Sequence, residues 1–171
     1  VAIDGAWGYF LRQENPRTGL ASETTMFTWQ RDTVPPGEPV VTSPAGTPYW
    51  SGNDVLVIAG DCEEGARVAL AGAADEATTC ADGHFAFEVT RAADATYNFE
   101  LTATDPAGNT SWPVSMQWVR DTSLPPTPVI TSPASPHHAP GASVTIRGTC
   151  TIGYEVVLDG ARHATVTCAN G

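Results

Sequence analysis

The sequence predicts an all-β protein of tandem antiparallel β-sandwiches, one complete domain flanked by two partial ones. Three observations carry this. Part of the chain repeats at a spacing of 89 residues (118 − 29). Short alternating strands recur between turn clusters while helix-period patterning is almost absent. Each copy of the repeat also holds its own pair of cysteines.

The repeat sets the organisation. Trp29-Gln30-Arg31-Asp32-Thr33 and Pro39-Val40-Val41-Thr42-Ser43-Pro44-Ala45 return as Trp118-Val119-Arg120-Asp121-Thr122 and Pro128-Val129-Ile130-Thr131-Ser132-Pro133-Ala134. Gly52 and Val55 recur at Gly141 and Val144. A one-residue deletion then shifts the offset to 88 (148 − 60), with Gly60-Asp61-Cys62 matching Gly148-Thr149-Cys150 and Cys80-Ala81-Asp82-Gly83 matching Cys168-Ala169-Asn170-Gly171. A fixed period of this length marks an array of small domains. It turns expectation from enzymes towards spacers, stalks and polymers.

The cysteines come in pairs of equal spacing, Cys62 with Cys80 and Cys150 with Cys168. A unit of about 90 residues buries only about 60–65% of its unfolded surface and is marginal without help. A disulfide closing each loop is worth roughly 3 kcal/mol in the chain-entropy model. One pair per repeat favours disulfides over four free thiols, and a zinc site lacks a CxxC or clustered histidines. Disulfides place the chain in an oxidising compartment: secreted, periplasmic or on the cell surface.

Net charge is −11, with eight arginines and no lysine. That balance argues against nucleic acid and anionic membrane surfaces as partners. The absence of lysine excludes a Lys–Asn isopeptide crosslink within the chain. No stretch approaches a transmembrane span. A first residue of Val leads us to expect a processed product or a piece of a longer protein.

In the complete repeat, the strands expected are Val40–Thr42, Asp54–Ala59, Ala66–Ala71, Glu76–Cys80, His84–Thr90, Tyr97–Ala103 and Val114–Arg120. Phe85, Phe87 and Val89 alternate inward, and Met116 and Trp118 share a face. Seven strands with hairpin connections read as a sandwich. The chain runs down Ala66–Ala71 and back up Glu76–Cys80, which returns Cys80 to the end where Cys62 lies.

These residues resemble the bacterial Ig-like repeats of large secreted adhesins and surface filament proteins. The resemblance rests on Gly60-Asp61-Cys62-Glu63-Glu64-Gly65-Ala66-Arg67-Val68, the Ala81-Asp82-Gly83 turn, Leu101-Thr102-Ala103-Thr104-Asp105-Pro106-Ala107-Gly108-Asn109-Thr110-Ser111 and the Arg-Asp-Thr linkers. It implies an Ig-like fold and a stalk or spacer role. The cysteines depart from the usual family pattern.

The domains expected are 1–32, the C-terminal part of an Ig-like domain; 33–122, a complete one; and 123–171, the N-terminal part of another. Val34-Pro35-Pro36 and Leu124-Pro125-Pro126 mark stiff junctions, so the sandwiches should line up as a rod. The N-terminal segment aligns in two ways. Asp4-Gly5 before Trp7, Tyr9 and Leu11 is like Asp82-Gly83 before Phe85, Phe87 and Val89, at an offset of 78 (82 − 4). Registered from Trp29 instead, Tyr9-Phe10-Leu11 matches Asn98-Phe99-Glu100; the two alignments differ by 11 residues (89 − 78), from which a segment shorter than its counterpart is expected. Half a sandwich leaves an open apolar face. Residues 1–32 of a neighbouring chain are therefore expected to complete 123–171, making other copies the head-to-tail partner.

Candidate sites are few. Asp32, Asp61, Glu63, Glu64 and Asp105 are expected near one end of the middle sandwich. Calcium takes six to eight oxygens, and a junction is where it would sit, although Thr149 and Thr151 replace acids at the next one. No cofactor is otherwise required. Trp50 and Trp112, in or beside loops, are candidates for stacking on sugar rings. Trp29 and Trp118 are expected to pack in the core or at a junction. His137-His138 lacks a third ligand, and Asn109-Thr110-Ser111 is a weak glycosylation sequon. No HExxH, GxSxG or carboxylate pair points to an enzyme. The function expected is thus a structural segment of an extracellular filament, stalk or adhesin. The alternative is a glycan- or protein-binding Ig-like module using its loop aromatics.

Overall fold

Alternation of apolar and polar side chains gives strands throughout, and the computed structural model describes residues 3–169. A hairpin, β1 (Gly5–Leu11) and β2 (Thr25–Arg31), comes first. The middle segment follows with β3 (Val40–Ser43), β4 (Tyr49–Ser51), β5 (Val55–Asp61), β6 (Arg67–Gly72), β7 (Glu76–Thr79), β8 (His84–Thr90), β9 (Ala95–Thr104) and β10 (Val114–Arg120). The last segment has β11 (Val129–Ser132), β12 (Arg147–Thr149), β13 (Glu155–Leu158) and β14 (Ala164–Thr167). Two compact units divide between Thr122 and Ser123.

The middle segment is an Ig-like β-sandwich. One sheet has the order β3-β5-β8, the other β4-β10-β9-β6-β7. Strict period-2 patterning decides which face is buried. Leu56 and Ile58 of β5 and Phe85, Phe87 and Val89 of β8 face inward from the first sheet. Val68, Leu70, Phe99, Leu101, Met116 and Trp118 meet them from the second. Trp118 is fully buried, and its indole Nε1–H donates to Ser51 Oγ at 3.1 Å.

All seven expected strands are present, with β4 in addition. β4 is three residues long, lies between turn residues and pairs parallel with β10. So short a strand has no periodicity to read, and its stability comes from the neighbour it joins. Pro36 and Pro39 are buried, so the incoming linker packs on the sandwich. Cys62 and Cys80 are joined by a disulfide with Cα atoms 5.9 Å apart, at the sheet end the strand reading gave them.

The β1–β2 hairpin corrects both sequence alignments of residues 1–28. Its register sets Trp7 opposite Trp29 and Tyr9 opposite Phe27. In the sandwich, Tyr97 lies opposite Trp118 and Phe99 opposite Met116. The counterpart of β1 is thus β9, ninety residues on (97 − 7), and the likeness of Asp4-Gly5 to Asp82-Gly83 is a coincidence of turn chemistry. The offset exceeds 89 because the β1–β2 loop has one residue more than its counterpart, not fewer: 12–24 separate Leu11 from Thr25, whereas 102–113 separate Leu101 from Val114.

The last segment repeats the first half of the sandwich. β11 pairs with β12 through a bulge between Ile130 and Ser132, as β3 pairs with β5 through one between Val41 and Ser43. β13 pairs with β14 as β6 pairs with β7. Cys150 and Cys168 form the second disulfide, with Cα atoms 6.0 Å apart.

Candidate functional site

At the end of β10 the chain is tied to the linker that follows. Arg120, 7% exposed, donates from one terminal nitrogen to Asp94 and from the other to Asp54, and its Nε donates to the Asn53 carbonyl at 3.1 Å. The second oxygen of Asp94 accepts from the Thr122 N–H at 3.0 Å and from its hydroxyl at 2.7 Å. These bonds, the hydroxyl's foremost, hold the Asp94 carboxyl below its ordinary value, with Arg120 adding to the effect. Asp54, its bonded partner, raises the Arg120 guanidinium in turn.

The same latch stands at the end of β2. Asp4 accepts from Arg31, and its other oxygen accepts from the Thr33 N–H at 3.2 Å and hydroxyl at 2.7 Å. The Thr33 hydroxyl is again the main cause of a lowered carboxyl. The Arg-Asp-Thr repeat seen in the sequence is therefore a latch in which arginine and threonine grip one aspartate from the preceding loop. Asp4 and Asp94 were missed because the extra loop residue puts them 90 apart (94 − 4) rather than 89.

The loops of the two hairpins are clipped alike. Ser111 Oγ accepts from the Ala103 N–H and donates to the Trp112 carbonyl, both at 3.0 Å. Ser22 Oγ accepts from the Gln13 N–H at 3.0 Å and donates to the Glu23 carbonyl at 2.8 Å. Isolated bridges join Thr104 to Thr110 and Glu14 to Ala21.

The five candidate calcium ligands have separate partners. Asp32 accepts from the Val34 N–H at 2.9 Å, and Asp61 contacts the His84 ring at 2.9 Å. Glu63 accepts from the Gly37 N–H at 3.4 Å and Glu64 from the Gly83 N–H at 2.8 Å. Asp105, buried, accepts from the backbone and side chain of Asn109, whose side-chain bond leads in lowering its carboxyl. Asn109 Nδ2 also donates to the Asp32 carbonyl at 3.3 Å, so the turn grips the incoming linker. Among the described residues no three His, Cys, Asp or Glu side chains gather as a metal-holding set. The expected convergence of these acids is not formed. Asn109 of the sequon spends its amide in this turn.

Trp50 lies on β4 and Trp112 in the loop before β10, at 62% and 79% exposure. Trp50 sits beside Val119, whereas Trp112 precedes Val114. The five residue steps from Val114 to Val119 span roughly 17 Å of strand. The two rings therefore mark opposite ends of β10. Trp29 and Trp118 share a register but not an environment: Trp29 is 45% exposed and stacks on Trp7 at 5.2 Å. His137 and His138 are exposed in a loop.

No helix among the described residues is long and apolar enough to cross a membrane. No curated protein matches the chain. Residues 50–120, from β4 to the end of β10, match the family model described as the bacterial Ig domain. The fold and the core of the middle sandwich agree with that match.

Proposed function

We propose that this chain is a non-enzymatic structural segment of an extracellular bacterial stalk, filament or adhesin. In it, Ig-like sandwiches are strung end to end, and incomplete halves are completed by neighbours. The observation that carries this reading is the repeated latch. Where the chain leaves the sandwich and where it leaves the β1–β2 hairpin, an aspartate binds both the last arginine and the first linker threonine. The linker into the sandwich is held too, by Asn109, Glu63 and two buried prolines. Ties of this kind fix the direction in which the chain enters and leaves the sandwich, which is what a spacer needs. The disulfides fit an oxidising exterior, where a small domain cannot rely on its core alone.

Small-angle scattering from dilute, monomeric chain tests this. A rod-like profile is expected, and Asp94→Ala should broaden its distance distribution by loosening the linker. A compact or freely jointed profile in the parent chain would overturn the reading.

A further inference from the structure

We propose that β8 is a docking edge, at which the middle sandwich takes up an extended segment of a partner protein as an antiparallel strand, with a lysine or arginine beside Glu88. The proposal concerns the complete sandwich alone and goes beyond the structural reading above.

β8 closes one side of the sheet β3-β5-β8, and among the described residues no strand pairs with its outer edge. Its register says which backbone groups lie there. Phe85, Phe87 and Val89 stand opposite Gly60, Ile58 and Leu56. Two bonds just beyond the strand fix the alternation. The Arg91 N–H donates to the Asp54 carbonyl at 2.8 Å, and the Cys62 N–H donates to the Gly83 carbonyl at 2.9 Å. Bonded pairs alternate in an antiparallel ladder, so Phe85, Phe87 and Val89 bond to β5. Ala86 and Glu88 then direct both N–H and C=O outward. Thr90 directs its N–H outward too, while its carbonyl accepts from Arg91 Nη1 at 2.7 Å.

The other edges are blunted, as edges of soluble proteins usually are. β3 follows Pro39, carries a bulge and stops at Pro44. β4 is three residues long after Pro48, and beyond it the Gln117 N–H of β10 donates to Thr47 Oγ1 at 3.0 Å. β7 has four residues. β8 runs for seven residues in unbroken register and contains no proline. Its one carboxylate, Glu88, is exposed and, among the described residues, has no ion-pair partner.

Charge decides the occupant. Residues 34–122 carry three arginines and thirteen acids (3 − 13 = −10). Arg120 is buried between Asp54 and Asp94, Arg91 lies over the Tyr97 ring, and Arg67 is on β6 of the other sheet. An approaching strand therefore meets a negative field and an unmatched carboxylate. A second copy would bring −10 against −10, whereas a cationic segment is drawn in. Opposite Glu88, a lysine or arginine forms a cross-strand ion pair. Opposite Ala86 and Thr90, β-branched residues extend the outer face on which Val55 and Val57 are half-exposed. Backbone bonds supply the affinity, and the basic centre selects the segment.

The test uses the intact protein and two end-capped synthetic peptides of alternating valine and threonine, one with a central lysine, the other with a central glutamate. With the lysine peptide, amide exchange followed by NMR is expected to slow at Ala86, Glu88 and Thr90, while Phe85, Phe87 and Val89 keep their protection. The glutamate peptide should bind severalfold more weakly, and Glu88→Lys should reverse that order. Ala86→Pro removes an outward N–H without touching the β5 ladder and should weaken both peptides. Equal binding of the two peptides, an order that Glu88→Lys leaves unchanged, or an Ala86→Pro protein that binds like the parent would overturn the proposal. So would slowing at β3 or β7 instead, no binding at millimolar peptide, or slowing at β8 in the protein alone as its concentration rises. The rod reading is judged separately, by scattering.

Discussion

The β9–β10 and β1–β2 hairpins share a register, an arginine–aspartate–threonine latch, a serine clip and a pair of facing aromatic rings. Tyr97 and Trp118 stand 5.4 Å apart, Trp7 and Trp29 5.2 Å. They differ in what covers them. Phe99 and Leu101 are buried, while Tyr9 and Leu11 are about half exposed. Local bonds therefore specify the shape of a closing hairpin, and the sandwich around it supplies the hydrophobic stabilisation. A two-stranded hairpin alone is marginal in water. Corresponding apolar positions are core in one hairpin and surface in the other, with the same strand pairing.

The largest effect should come from emptying the shared position. Trp118→Ala is expected to cost about 3–5 kcal/mol, most of what holds a domain of this size together. Trp29→Ala in the monomer should cost less than about 1 kcal/mol, since it loses one ring contact and little burial. Denaturant titration followed by near-ultraviolet dichroism reads both. Equal costs would mean that the hairpin is buried in solution.

Next in size is the Cys62–Cys80 bridge. Replacing both cysteines by serine is expected to destabilise the middle sandwich by roughly 3 kcal/mol, with no change of fold. The corresponding change at Cys150 and Cys168 should act on a unit with little core. Amide exchange across β13 and β14 is then expected to rise towards that of an open chain.

The latch separates the hairpins through pH. Asp94 is lowered in the folded state, so its contribution is fully present above the unfolded carboxyl value of about 3.9. It is lost as pH falls through the lowered folded value. Asp94→Asn should flatten the acid limb of the stability curve of the sandwich. Asp4→Asn should leave that curve unchanged and alter only exchange of the Thr33 amide. The smallest effect is expected for Trp112→Ala, within about 0.5 kcal/mol, because the ring is exposed.

Period-2 alternation made the sandwich legible where strands are long and one face is buried, as in β5, β8 and β10. It failed at β4, whose three residues are held by β10 rather than by their own pattern. The repeat made both disulfides legible, since equal spacing in two copies is hard to explain otherwise. The hairpin was misplaced by a single loop residue: a shift of one breaks a fixed-offset comparison, but only lengthens a loop that Ser22 clips at its base. The latch left an Arg-Asp-Thr trace without its meaning, because Asp94 lies 26 residues before Arg120 in sequence. The acids near Asp61 and Asp105 looked convergent on a line of text. In space each has a partner of its own: Asp61 the His84 ring, Glu63 the Gly37 amide, Glu64 the Gly83 amide and Asp105 the Asn109 turn.

The bridge between Cys62 and Cys80 also bears on how the domain would respond to tension. It spans 18 residues of sequence, and both ends sit at one end of the sandwich. Pulling the domain open from its two linkers cannot extend the enclosed strands β6 and β7. About 60 Å of contour, at about 3.4 Å per residue, stays locked away. Each bridged repeat therefore yields less length when it unfolds, and an array of such repeats would lengthen less under load.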